Sequence, residues 1–171
     1  MARSHALVRA ALALASLALL GLTVAAATSP VWLVVAVLVG LTGYAVVRPG
    51  SHAVTVLLAG HALHWMVVVP LPGGMGRWLA LLGGAWLGLA LHLTAALAAT
   101  LPAAAPVPAA TLARWARRGL TVALLVVPLW ALAAVAGLQH VAGQLPLTYA
   151  AIAGVGLLAL SVWLVSRDPR S

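Results

Sequence analysis

The chain has 171 residues, of which 65% are hydrophobic and only 6% charged, and it has no cysteine. Its mean hydropathy is +1.17. A soluble domain is about 25% charged, and a small domain buries only roughly two thirds of its surface, so this much apolar area is expected to meet lipid. Without cysteine there is no disulfide, thiolate metal site or cysteine nucleophile. The net charge of +8 comes from nine arginines against one acid, Asp168. These arginines lie at the ends of apolar runs and form no basic domain, so membrane topology explains them better than nucleic acid does.

Six apolar runs approach the roughly 20 residues that a spanning helix needs. Span 1 is expected at about 7–27 and span 2 at about 31–47. "TSP" at 28–30 separates them, with Thr28 or Ser29 a candidate cap and Pro30 suited to a first helical position. Residues 1–29 also carry a basic start, an apolar stretch and Ala25-Ala26-Ala27, as a signal peptide does. The apolar run exceeds the usual 7–15 residues or so of a signal core, so a retained helix is expected.

"RPGS" leads into span 3, about 51–70, which holds His61, His64 and Trp65. "PLPGGMGR" breaks the chain before span 4, about 78–101. Span 4 carries Gly84 and Gly88 in a G-x-x-x-G pair, which lets helices approach closely. It also carries His92. "LPAAAPVPAAT" then forms the longest connection, and a short interfacial helix is expected at about 111–118. There Leu112, Trp115 and Ala116 would face lipid, while Arg114, Arg117 and Arg118 reach anionic headgroups or a cytoplasmic partner. Span 5, about 120–138, contains Pro128, which cannot donate to the carbonyl of Leu124, so a kink is expected. Span 6 is about 148–165.

The resulting expectation is an all-α polytopic membrane protein. It is a single domain over residues 1–171, a compact bundle of six transmembrane helices with both termini cytoplasmic. That orientation puts Arg3, Arg9, Arg48, Arg114, Arg117, Arg118, Arg167 and Arg170 inside and only Arg77 outside. Lysine is absent and alanine abundant, the composition of a high-GC bacterial genome. The expected location is therefore the bacterial cytoplasmic membrane.

Chemistry is sparse. The spans hold no Asp or Glu, against a carboxylate proton relay or an aspartyl protease. With no lysine there is no nucleotide-binding G-x-x-x-x-G-K-[ST], and H-E-x-x-H is missing. Ser16 and Ser161 are the deep serines, and neither sits in a nucleophile motif. No catalytic residue and no metal ligand is nominated.

His61 falls near the expected bilayer centre and His64 about 4.5 Å further out. His92 lies at a nearby depth on span 4. If these spans pack as neighbours, His61 or His64 with His92 forms a cofactor site for haem b by axial ligation. The alternative is ordinary packing, with a histidine bonded to a carbonyl or to a threonine such as Thr94. His5 reads as tail, His52 as interfacial and His140 as an outer loop residue.

Three functions follow in order. The first is a non-catalytic subunit, scaffold or assembly factor, partnered by lipids and by another membrane or cytoplasmic protein, and not by nucleic acid. The second is a haem b electron-transfer protein. The third is a small-solute carrier. N-terminal sequencing of the membrane-extracted protein should find span 1 retained; a new terminus near Thr28 would show that it is cleaved.

Overall fold

The computed structural model describes residues 3–100 and 108–138. Within them the chain is helical, with five helices and no strand. These are α1 (Arg3–Ala26), α2 (Trp32–Val47), α3 (Ala53–Val68), α4 (Met75–Thr100) and α5 (Ala109–Leu138). Span 6 lies outside the described residues, so the expected count of six is not supported. Contacts divide the chain into two units, 1–124 and 125–171, with the boundary inside α5.

Three helices, α1, α4 and α5, are long and apolar enough to cross a membrane. The other two fall short of the expectation. α2 and α3 have 16 residues each, about 24 Å at 1.5 Å per residue, against a hydrocarbon core of about 30 Å. Proline sets most of their ends. A residue before proline is driven out of the α region. Val69, before Pro70, is extended at φ −95°, ψ 120° and caps α3. Arg48, before Pro49, is at φ −127°, ψ 68° and caps α2.

The entry to α2 also differs from the expectation. Its N-cap is Val31, in extended geometry and with no side-chain cap, so Pro30 precedes the helix and neither Thr28 nor Ser29 caps it. Thr28 instead uses its backbone: its N–H donates to the Val68 carbonyl at 3.3 Å, tying the α1–α2 turn to the end of α3.

The expected interfacial helix is not separate. α5 runs unbroken for 30 residues, through Gly119 and through Pro128. It starts after Pro108, whose carbonyl accepts from Thr111 N–H at 2.9 Å and Leu112 N–H at 3.3 Å. Proline tolerates this position because the first helical N–H groups have no partner upstream. Nothing after Pro108 interrupts the helix before Pro128. That proline lacks the N–H for Leu124, yet its fixed φ is helical.

In the first unit α1 is the central element. Leu12, Ala15, Leu19 and Leu20 of α1 meet Leu38 and Ala45 of α2, Leu57 of α3, and Leu91 and Ala95 of α4 in one buried cluster. α4 packs along α1 most extensively, α2 pairs with α3, and α3 touches α4 only lightly. Leu22 lies against Gly83, while Val8 shares a groove with Leu93 and Leu97, so α1 and α4 run antiparallel. Span 4 therefore neighbours span 1 rather than chiefly span 3.

Close approach is bought at particular glycines. At Gly84 a Cβ would stand 3.1 Å from the Trp65 ring, and at Gly60 one would stand 2.9 Å from Leu38 Cδ2. Nothing lies within 4 Å of a Cβ at Gly88 or Gly40. The G-x-x-x-G pair is thus used unequally: Gly84 admits the α3 tryptophan, and Gly88 borders open space. Gly84→Val should lower thermal stability in mild detergent by about 1–3 kcal/mol, the usual overpacking cost, while Gly40→Ala should leave the melting curve within error.

Candidate functional site: a buried histidine–hydroxyl chain

Lipid offers no hydrogen bonds, so a polar group in an apolar helix must find its partner within the protein. Most of the threonines do this locally. Thr23, Thr42, Thr94, Thr100 and Thr121 each donate to a carbonyl four residues back, at 2.7–3.1 Å. Thr94 therefore bonds its own helix, at Ala90 and Leu91, and serves no histidine there.

α3 presents one buried stripe, Leu57, His61, His64 and Val68, at spacings of four, three and four. This spacing keeps side chains on one helix face. Both histidines are 3% exposed. His61 Nε2 lies 2.9 Å from Ser16 Oγ on α1. Ser16 Oγ lies 2.7 Å from Thr42 Oγ1 on α2. Thr42 Oγ1 donates to the Leu38 carbonyl at 2.7 Å. Three helices meet in these three side chains, and Ser16 is fully buried.

Proton counting gives the chain a direction. A hydroxyl has one proton. Thr42 spends its proton on Leu38, so it accepts from Ser16. Ser16 has then spent its own and must accept from His61. His61 is therefore the Nε2–H tautomer, and its Nδ1 is a bare acceptor. That nitrogen is buried without a hydrogen-bond partner, and so are both ring nitrogens of His64.

The polarity decides the chemistry. A serine nucleophile needs its O–H aimed at an unprotonated imidazole nitrogen. In the proton order that satisfies all three contacts, the imidazole donates to Ser16 and the Ser16 proton goes to Thr42. The contact has the length of a serine–histidine dyad and the opposite sense.

The nominated histidines differ in burial. His61 and His64 share the α3 stripe. His92 is exposed on α4 and is not among the residues lining the cavity beside His61. An axial haem pair needs two imidazole nitrogens facing each other across the macrocycle, and the exposed His92 gives the haem reading no support. Among the described residues, no three His, Asp or Glu side chains gather into a metal-binding group. His5, read as tail, is buried within α1, and His52 is exposed. His140 lies outside the described residues.

The α5 candidates lie in its first turns. Arg114, Arg117 and Arg118 are exposed and Trp115 is half-buried. Leu112, Trp115 and Ala116 border an apolar groove of about 600 Å³ with residues of α1 and α4, and Leu112 and Ala116 are exposed there. Trp86 reaches across from α4 and donates to the Ala123 carbonyl at 3.1 Å. Pro128 is exposed, in the second unit.

The sequence named Ser16 only as a deep serine and did not single out Thr42, and it paired neither with His61. Both stand in small-residue or leucine-rich runs, and their only signal is a hydroxyl at the depth of His61 on neighbouring helices. Comparison with protein-family models found no match, nor did comparison with curated proteins or with solved structures. Ser16→Ala leaves the His61 N–H without its acceptor, and should lower stability by about 0.5–2 kcal/mol in a detergent melt. Ser51→Ala, which removes an exposed bond to the Arg48 carbonyl, should change it far less.

Proposed function

We propose that this chain is a small non-catalytic integral membrane protein that serves as a subunit, scaffold or assembly factor of a larger complex. Its place is the bacterial cytoplasmic membrane, with the N-terminus inside. The observation that carries this reading is the fate of the buried polar groups. His61, Ser16 and Thr42 run in one direction into a backbone carbonyl, so they tie helices together and activate no nucleophile. A chain that joins its helices through such contacts is suited to act through its surface.

The surface most suited to a partner is α5. Large apolar residues along it are open, among them Leu120, Leu124, Leu132 and Val135. Its first turns carry the exposed Arg114, Arg117 and Arg118. An apolar helix with a cationic cytoplasmic end fits a membrane subunit whose partner presents anionic groups at the headgroup level.

Native purification in mild detergent, with mass spectrometry of what accompanies the chain, tests this. One partner should be recovered in constant proportion. Replacing Arg114, Arg117 and Arg118 together by alanine should reduce that recovery about tenfold while the chain still inserts. A monodisperse monomer that behaves identically with and without the three arginines would overturn the proposal.

A further inference from the structure

The groove between α1, α4 and the first half of α5 is long and apolar, and all of its lining lies in the first unit. On α4 the lining runs from Trp86 to Leu97, and on α5 from Leu112 to Ala123. Each stretch advances 11 residues (97 − 86 and 123 − 112), or about 16 Å of helix. Among the described residues no helix packs along α5 at backbone distance. Side chains bridge the space instead: Trp86 donates to the Ala123 carbonyl, and Leu93 reaches to Gly119. At the other end, where α1 and α5 begin and α4 finishes, Leu7 and Leu112 are exposed and the groove is open.

Its volume of about 600 Å³ falls in the range of ligand sites, and its length favours a chain over a compact ring. The Trp86 N–H and the Thr94 hydroxyl in its wall are already bonded to helix carbonyls. The interior therefore suits methylenes and not polar groups.

The rim is cationic. At about 3.6 residues per turn, Trp115, Ala116, Gly119 and Ala123 form the α5 stripe that borders the groove. Arg117 and Arg118 fall to its two sides, and Arg114 falls behind it. Side chains on a helix tilt toward its N-terminus, so both flanking arginines lean toward the open end. Both are exposed, and no carboxylate side chain among the described residues can neutralise them, because the chain's only acid is Asp168. A guanidinium fork matches a phosphate, and an arginine stem can run along apolar surface to bring it to headgroup level.

We propose that this groove is a binding site for an anionic phospholipid. One acyl chain lies between α4 and α5, and the phosphate meets Arg117 and Arg118. Net charge selects the lipid, since a zwitterionic headgroup brings a cation of its own to the arginines. The site shares two arginines with the α5 surface proposed above but stands on the groove, and substitutions in the groove separate the two readings.

The test is native mass spectrometry of the full chain in non-ionic detergent, titrated with dioleoyl phosphatidylglycerol and, separately, with dioleoyl phosphatidylcholine. One phosphatidylglycerol should bind per chain, about tenfold or more tightly than phosphatidylcholine. Ala116 is exposed on the groove stripe, so Ala116→Phe obstructs the groove without overpacking a core. It should weaken phosphatidylglycerol binding about tenfold with every arginine in place. Leu112→Trp, at the open end, should act in the same direction. Arg117→Gln combined with Arg118→Gln should bring the two lipids within about twofold of each other. Glycerol 3-phosphate, which carries the phosphate without the chains, should not compete. Equal binding of the two lipids or binding of neither would overturn the proposal. So would full binding in either groove variant, a preference that survives loss of the two arginines, competition by glycerol 3-phosphate, or a dimer that Ala116→Phe dissociates.

Discussion

The Ser16 hydroxyl is the point on which the first unit turns. It sits fully buried on the central helix and touches both α2 and α3 through polar atoms. In water such a bond contributes modestly, because either partner could be solvated instead. Away from water no substitute exists, so its geometry selects which faces of three helices come together. Apolar packing around it is permissive by comparison, since leucine against leucine differs little from leucine against lipid. The hydroxyl chain supplies register, and Leu12, Leu19, Leu38 and Leu57 fill the space around it.

The same proton that fixes register limits chemistry. A histidine and a serine at 2.9 Å invite a catalytic reading. Thr42 points the other way, because its bond to its own helix favours the opposite proton order along the hydrogen-bond chain. One residue, itself unremarkable, decides whether a dyad is a nucleophile or a strut.

Much of the helical layout was legible in the sequence, because clusters of proline and glycine mark several of the helix ends. The "PLPGGMGR" break and the cap at Val69 before Pro70 follow from local sterics. Other elements were not legible, for physical reasons. Gly119 looks like a breaker, yet it lies inside α5, where a Cβ would meet Leu93 at 2.7 Å. It is there for closeness, which is a property of two helices and not of one segment. The sequence weighed spans 3 and 4 as neighbours, but α4 lies chiefly along α1 and touches α3 only lightly, a choice made by surfaces remote in sequence. Of the candidate site, the burial of His61 and His64 was legible from their apolar setting. Their partners were not, because Ser16 and Thr42 are 45 and 19 residues from His61 (61 − 16 and 61 − 42). The exposure of His92 was hidden likewise, since one helical turn carries both lipid-facing and inward positions.

The short hairpin of α2 and α3 has a consequence for the surrounding bilayer. Its helices offer about 24 Å of apolar height, against α4 with 26 residues. Placed in a bilayer with both α2–α3 and α4 bordering lipid, the chain would meet lipid of two thicknesses. Hydrophobic mismatch costs fractions of a kcal/mol per ångström, and a bilayer relieves it by thinning next to the shorter wall. The chain would then carry a dimple in the membrane along one flank. Neighbours with short spans would gather at that flank without touching it, drawn by the shape of the lipid and not by contact.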